Sequence, residues 1–459
     1  MTDDTMVAVA TPHGRGGIGV VRISGAGALE IASKLIRLPN WPPQIQHATL
    51  GDFIDSSSGA VLDQVVVTYF QQPRSYTGED VVEVSCHGAP VILRHLLECS
   101  TASGARLAEP GEFTMRAFLN GRIDLSQAEA VRDLIESRTL YQARVAAQQI
   151  GGAVSARLSH PKKALVELIA RLEAGIDFAE DDVPVSEWDE IASRIDAIRA
   201  DLDRLRKSYE FGRIVRDGLT LAILGRPNVG KSSLFNRLLN EDRAIVTATP
   251  GTTRDLVSET ASIGGIPVRL VDTAGIRATG DQVERIGVEK SLQALAESDL
   301  RLLVVDASEG WTAEDELLFE RVRAIGRVLV AVNKCDLVAS EKLGLSGESG
   351  SKAEVDVVWT SALTGEGVSR LQELILALVA PQRDLEPEGE VVTNLRHRDC
   401  IQEALRSLSK ARESAGRDIP HEMLLLDLYD ALHALDAVTG ATTTDDLLGV
   451  IFSSFCVGK

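Results

Sequence analysis

Gly225-Arg226-Pro227-Asn228-Val229-Gly230-Lys231-Ser232-Ser233 decides how the rest of the chain reads. An apolar run precedes it (Leu219, Leu221, Ala222, Ile223, Leu224), and apolar residues at helical spacing follow it (Leu234, Phe235, Leu238, Leu239). Strand, glycine loop and helix in that order are the setting in which G-x-x-x-x-G-K-[ST] cradles phosphate. The glycines let backbone N–H groups approach phosphate oxygens, and the helix N-terminus adds partial positive charge. Lys231 has the reach for the β- and γ-phosphates, and the Ser232 hydroxyl is a hard oxygen ligand of the kind Mg²⁺ takes. Asn228 to Ser233 are therefore expected to line a nucleotide's phosphates.

Working outward, three more short segments sit at the ends of apolar runs. Asp272-Thr273-Ala274-Gly275 follows Val268–Val271. An Asp at a strand end can hold Mg²⁺ through water, and the glycine N–H can sense the γ-phosphate. Asn333-Lys334-Cys335-Asp336 follows Val328–Val332. The Asp336 carboxylate can accept from guanine N1–H and the N2 amino group, a donor pair that adenine lacks, so the expected nucleotide is GTP. Ser361-Ala362-Leu363 follows Val357–Thr360 and is expected to close over the base. Between the loop helix and Asp272 lies Gly251-Thr252-Thr253-Arg254-Asp255, where Thr253 is the expected second side-chain Mg²⁺ ligand, ordered by GTP and released after hydrolysis.

The residue after Gly275 is Ile276, a hydrocarbon where many signalling GTPases carry a water-positioning Gln. Either the chain is a slow switch or another group orients the water, with Arg277, Gln282 and Glu284 the candidates. A monovalent cation beside the β–γ bridge can supply the missing charge. It would be held by the Asn228 side chain and by carbonyls of the loop Thr247-Ala248-Thr249-Pro250-Gly251-Thr252.

Residues 218–381 alternate strand and helix as a doubly wound sheet does. On either side the pattern changes. Residues 1–119 read as an α+β domain, with strands at Val7–Ala10, Gly19–Ile23, Val65–Phe70 and Val81–Val84 and helices at Ala26–Leu38 and Val91–Ser103. Gly14–Gly19 is either a flexible turn between two strands or a place of close backbone approach to an anionic ligand or to a second subunit. Residues 120–217 are helical, with Leu125, Ala128, Val131, Leu134 and Ile135 on one face and Leu165, Leu168, Ile169 and Leu172 on another. Pro161 and Glu180–Pro184 are expected to break the run. Arg204, Arg206, Lys207, Arg213 and Arg216 near its end form either a solvated face or an RNA contact. Residues 382–459 are again helical and are expected to pack with 120–217, which makes the GTPase unit an insertion in one helical domain.

Composition bounds the partners. The 459 residues are 44% hydrophobic and 25% charged, as in folded proteins with sizeable cores. The formal charge of −19 repels phosphate globally, so nucleic acid needs a local basic patch. Met1-Thr2-Asp3-Asp4 is no signal peptide and no apolar run is long enough for a membrane span. Five cysteines without a C-x-x-C pair fit a reducing cytoplasm and no zinc site.

Together these segments resemble the MnmE (TrmE) family of tRNA-modifying GTPases over essentially the whole chain. The likeness also rests on Val283-Glu284-Arg285-Ile286-Gly287 and on the ending Ile451-Phe452-Ser453-Ser454-Phe455-Cys456-Val457-Gly458-Lys459. Near the start it rests on Thr11-Pro12, Gly14–Gly17, Arg22-Ile23-Ser24-Gly25, Tyr76-Thr77-Gly78-Glu79-Asp80 and Pro110-Gly111-Glu112-Phe113. The resemblance implies a P-loop GTPase domain inserted in a helical-bundle domain, preceded by an α+β folate-binding, dimerising domain. It implies a K⁺-stimulated, Mg²⁺-dependent homodimer in the cytoplasm. With the flavin- and NADH-using partner MnmG, the family builds a carboxymethylaminomethyl or aminomethyl group on C5 of the wobble uridine of certain tRNAs. The one-carbon unit comes from 5,10-methylene-tetrahydrofolate, with 5-formyl-tetrahydrofolate the other form considered. Carried over by position, Asn228, Thr247, Thr249 and Thr252 surround K⁺, Ser232 and Thr253 hold Mg²⁺, and Glu284 organises the attacking water alongside Lys231. Arg22, Glu83, Arg122 and Lys459 fall at the folate site. Cys456 is either a buried small residue or a functional thiol. A ribosome-assembly GTPase and a signalling switch are the competing readings; the acidic charge and the lack of a compact basic RNA-binding domain count against the first, and the second needs neither 217 residues of N-terminal structure nor the Cys456–Lys459 ending.

Overall fold

The computed structural model describes residues 4–55, 58–177, 188–241, 258–272, 296, 298–338, 355–379, 391–415, 421–442 and 445–458. The chain divides into two units, residues 1–132 with 435–459 and residues 133–434.

The first unit is built on β1 (Met6–Val9), β2 (Gly16–Ser24), α1 (Ala28–Leu35), β3 (Ile36–Arg37), β4 (Thr49–Ile54), β5 (Val61–Phe70), β6 (Val81–Gly88), α2 (Pro90–Ala102), β7 (Arg106–Leu107) and α3 (Glu112–Leu119). Its sheet runs β3-β4-β5-β6-β2-β1-β7, antiparallel except where β7 joins β1 in parallel. Alternation along each strand supplies two faces. Val7, Val21, Ile23, Val65, Val67, Val82 and Val84 pack with Ile31, Leu35, Leu93 and Leu96 of α1 and α2. Met6 and Ala8 point the other way, onto Ala108, Phe113 and Tyr76. Gly16 pairs with Gly88 across a bulge, and a Cβ at Gly88 would lie 2.6 Å from Gly16 O. Gly16 thus lies in close backbone contact with the neighbouring strand of its own sheet.

Two elements differ from expectation here. α1 stops at Leu35 and the chain turns into the short β3. β4 was hidden by Gly51 and Asp52, yet Gly51 is required because a Cβ would meet Leu38 Cδ2 at 2.4 Å. The last helix, α14 (Asp445–Ser453), packs on α3 in this unit. Phe452 and Phe455 join Leu125 and Ala128 in a small core. Beyond α14 the chain bridges Val457 to Pro110, and Gly458 passes so close to Val9 O that a Cβ would lie 2.3 Å away.

The second unit contains the helices α5 (Leu140–Ile150), α6 (Ala153–Asp177), α7 (Trp188–Lys207), α8 (Tyr209–Asp217) and α12 (Leu395–Ala415), while α4 (Leu125–Glu136) and α13 (His421–Thr439) cross the division. α12 packs on α7, with Arg412 Nε donating to Asp196 Oδ2 at 2.9 Å. α6 runs through Pro161 without a break. A mid-helix proline costs about 3 kcal/mol, and the buried Val154, Leu158, Leu165, Leu168 and Leu172 offset it. On α4 only Leu125 and Ala128 of the predicted stripe are buried, and Leu134 and Ile135 are exposed. The basic cluster is consumed internally: Arg204 pairs with Asp201, Arg206 and Lys207 with Asp203, Arg213 with Asp299 and Arg216 with Asp133. The solvated-face reading fits it better than an RNA contact.

The nucleotide sheet follows α8. Its elements are β8 (Leu219–Leu224), α9 (Lys231–Glu241), β9 (Ser258–Ile263), β10 (Ile266–Asp272), β11 (Leu300–Asp306), α10 (Ala313–Arg323), β12 (Val328–Asn333), β13 (Val357–Trp359) and α11 (Val368–Val379). The order is β13-β12-β11-β8-β10-β9, all parallel except β9 against β10. Leu221, Ile223, Leu302, Val304, Leu329 and Ala331 serve one core, and Ala222, Leu224, Leu303, Val305, Val330 and Val332 serve the other. Helices cover both faces, so each strand is apolar throughout. The returning chain is clamped beside the entry. Gln149 Nε2 donates to Val391 O at 3.0 Å, Val392 N donates to Ser208 Oγ at 3.1 Å, and a Cβ at Gly212 would meet Val392 O at 2.1 Å.

Candidate nucleotide and folate sites

The carboxyl ends of β8, β10, β12 and β13 carry the four predicted segments, and in an open parallel sheet that edge is where ligands bind. The loop after β8 is shaped by close packing. Gly225 has φ +144° and a Cβ there would lie 2.2 Å from Val304 O. Gly230 has φ +94° and its missing Cβ makes room for Asn333 Nδ2, 2.2 Å from where it would stand. Asn228 takes a left-handed φ of +64°, a conformation asparagine tolerates better than most residues, and its side chain is exposed. Val229 is buried, while Ser232 and Ser233 are exposed in the first turn of α9. Lys231 Nζ donates to Gly225 O at 2.9 Å and to Arg226 O at 2.7 Å, which folds the ammonium over the loop.

Asn333 joins the phosphate and base segments. Its side chain is 1% exposed; Nδ2 donates to Val229 O at 2.9 Å, and Oδ1 accepts from Ala362 N at 3.0 Å. Lys334 sits at φ +62° and its Nζ donates to Asp306 Oδ2 at 2.6 Å. Burial pushes the Asp306 carboxyl up, but Lys334 and the Ser308 hydroxyl and N–H outweigh it and hold it below the ordinary range. Asp336 is exposed in a short 3₁₀ turn. Ser361 is fully buried, its Oγ accepting from Thr364 N at 3.1 Å, and Leu363 is 82% exposed. Arg237 of α9 supports the same turn by donating to Thr364 O at 2.9 Å.

The structure therefore brings together Asn228–Ser233, Asn333, Lys334, Asp336, Ser361, Ala362 and Leu363. Thr247, Ala248, Thr249, Pro250, Gly251, Thr252, Thr253, Thr273, Ala274, Gly275, Arg277, Gln282 and Glu284 lie outside the described residues, as does the side chain of Asp272. Asp306 and Arg237 were not singled out from sequence. An acidic residue closing an otherwise apolar strand was the available signal for Asp306.

In the first unit, Arg22 and Glu83 face each other across β2 and β6. Arg22 Nε donates to Glu83 Oε1 at 2.8 Å, and the guanidinium lies 5.5 Å from the Phe113 ring centre and 5.8 Å from that of Tyr76. Arg122 is exposed and its stem covers Gly78, two residues beyond Tyr76, with Cγ 3.3 Å from where a Gly78 Cβ would stand. Lys459 lies outside the described residues; the preceding Gly458 abuts β1. Cys456 is exposed, against the buried reading, and its carbonyl accepts from Gly111 N at 3.3 Å. No helix among the described residues is long and apolar enough to cross a membrane.

Comparison with known proteins agrees with this layout. Residues 125–456 match the MnmE helical domain and residues 5–122 match the GTP-binding protein TrmE N-terminus. A Koribacter versatilis protein described as tRNA modification GTPase MnmE is 54% identical over 460 residues, covering 100% of this chain and 99% of that one. Proteins of the same description from Aquifex aeolicus and Acetivibrio thermocellus are 45% and 42% identical. The first covers 99% of this chain and 100% of its own, the second 100% and 99%. A whole-length likeness at these identities is common descent with the architecture retained, and the chain belongs to the MnmE family of tRNA modification GTPases.

Proposed function

We propose that this chain hydrolyses GTP to GDP and phosphate and uses the cycle to modify tRNA at C5 of the wobble uridine, together with MnmG. The observation that carries the reading is the Asn333 tie, which holds the loop after β8 and the loop after β13 in one frame. In that frame backbone N–H groups of residues 228–233 and Lys231 bind the phosphates, Asp336 selects guanine, and Ala362 and Leu363 border the base. Ser232, an exposed hydroxyl at the loop's mouth, suits Mg²⁺, with Thr253 as its partner ligand. When bound, Mg²⁺ neutralises charge on the β- and γ-oxygens. Asn228, with Thr247, Thr249 and Thr252, suits K⁺, and Glu284 orients the water that Ile276 cannot.

The folate role belongs to Glu83, Arg22, Arg122 and Lys459. A carboxylate accepts the pterin ring donors, and cations meet the glutamate tail. The exposed Cys456 is the candidate thiol on the same unit. A homodimer joined through the first domain, working in the cytoplasm, completes the reading.

Two measurements test it. Hydrolysis by the full chain is expected to rise when K⁺ replaces Na⁺, and equal rates would discard the cation site. Mass spectrometry of wobble uridines from a deletion strain is expected to show loss of the C5 substituent; intact modification would leave a GTPase without this role.

A further inference from the structure

The first turn of α10 and the segment leading into it hold the loop after β8 through one side chain, Arg226. Arg226 Nε donates to Asp315 Oδ1 at 2.9 Å, and its Nη1 lies 2.9 Å from Glu309 Oε2. Asp315 is fully buried, and its second oxygen accepts from Thr312 N at 3.0 Å and Thr312 Oγ1 at 2.7 Å, capping α10. One carboxylate thus serves a helix cap and the loop together. Arg226 Nη2 is buried and without a hydrogen-bond partner among the described residues, so the guanidinium's placement rests on its bonds through Nε and Nη1. The backbone of the same residue does other work, since the Gly225 and Arg226 carbonyls are those that receive Lys231 Nζ.

We propose that Arg226 is a positioning residue, whose anchorage to Asp315 and Glu309 sets the two carbonyls that hold Lys231 Nζ against the phosphates of a bound guanine nucleotide. The proposal rests on the nucleotide reading above. Lysine is a flexible stem ending in a point charge, so its placement depends on what receives its N–H groups. An ammonium displaced by an ångström loses more against the charge that develops during phosphoryl transfer than against the bound triphosphate. Arg226 would therefore act on kcat more than on KM. Electrostatic attraction between an arginine and a desolvated carboxylate makes the anchor stiff, and a lysine at 226 keeps the charge while losing the fork.

The test measures GDP binding by calorimetry and steady-state GTP hydrolysis on the full chain. The proteins are wild type, Arg226→Lys, Arg226→Gln, Glu309→Gln and the double variant Arg226→Gln with Asp315→Asn, each followed by thermal unfolding. Arg226→Gln is expected to lower kcat per folded molecule about tenfold with KM within about threefold, and Arg226→Lys to recover part of the loss. Glu309→Gln, which removes the exposed partner, is expected to have the smallest effect. The double variant should be no slower than Arg226→Gln. An unchanged kcat per folded molecule in Arg226→Gln, or a double variant clearly slower per folded molecule than Arg226→Gln, overturns the proposal. If Arg226→Gln does not fold, Arg226→Lys decides, with an unchanged kcat overturning it. Wild type that bound no GDP would remove the nucleotide reading and this proposal with it; GDP binding with no kcat effect removes this proposal alone.

Discussion

Replacing Asn333 by alanine breaks the tie between the loop after β8 and the loop after β13. The side chain makes two bonds to backbone groups, at 2.9 Å to Val229 O and 3.0 Å from Ala362 N, from a position 1% exposed. Each bond contributes about 1 kcal/mol net, and each group left buried without a partner costs about 1–3 kcal/mol. Ala362 is only half-buried, so water can reach its N–H and the total falls toward the low end. About 2–3 kcal/mol is therefore the expected loss of stability in this unit. The same tie aligns the two halves of the nucleotide site, and binding must restore that alignment when the tie is gone. At about 1.4 kcal/mol per tenfold, GDP affinity is expected to fall about 30- to 150-fold. Asn333→Asp should lose more, because it turns a donor facing the Val229 carbonyl into an acceptor. Calorimetric GDP titration paired with urea unfolding reads both quantities, with Leu363→Ala as an exposed neighbour expected to stay near wild type in stability. If Asn333→Ala bound GDP within threefold of wild type at an unchanged urea midpoint, Asn333 would not be the joint described here.

Three other outcomes are expected. Gly230→Ala should abolish tight GDP binding in calorimetry, since φ +94° is strained for alanine and its Cβ would strike Asn333 Nδ2; retained affinity would mean the loop repacks freely. Burial raises the Glu112 carboxyl, but Arg106, the Glu109 N–H and Arg116 outweigh it and hold it below 4.5, and Asp4, sharing both arginines, is held below 3.8. Depressed carboxylates stabilise above their unfolded values and lose that contribution as pH falls through the folded ones. Urea unfolding of the wild type should therefore weaken below about pH 4.5, and Glu112→Gln should weaken less; identical slopes would remove the network from the account. Burial, then Asp63, pushes the Cys86 thiol up to about 11, whereas Cys456 is exposed. Iodoacetamide at about pH 8 should modify Cys456 first and Cys86 last in peptide mass spectra, and the reverse order would contradict the packing of Cys86.

What the sequence discloses depends on how local the cause is. The strands of the nucleotide sheet are legible because both faces are covered. Leu221 and Ile223 go one way and Ala222 and Leu224 the other, so the run stays apolar. The phosphate loop is legible because its glycines, Lys231 and Ser232 lie within nine consecutive residues. β4 is not, since only Gly51 and Phe53 of it are buried, and its strand character comes from pairing with β5. Pro161 misleads because α6 is carried across it by packing against α5 and α7, which its own local sequence does not state. The clamp on Arg226 is the extreme case. Its buried partner is 89 residues away, and nothing near either residue marks the pair. A motif can therefore state which groups meet the nucleotide while leaving unstated what holds those groups still. In this chain the holding is done by Asn333, Asp306 and Asp315, residues at or beyond strand ends whose side chains bind the protein's own loops. Substitution at Asp306 or Asp315, which lie outside the motif segments, should shift affinity or turnover without touching any atom of the ligand.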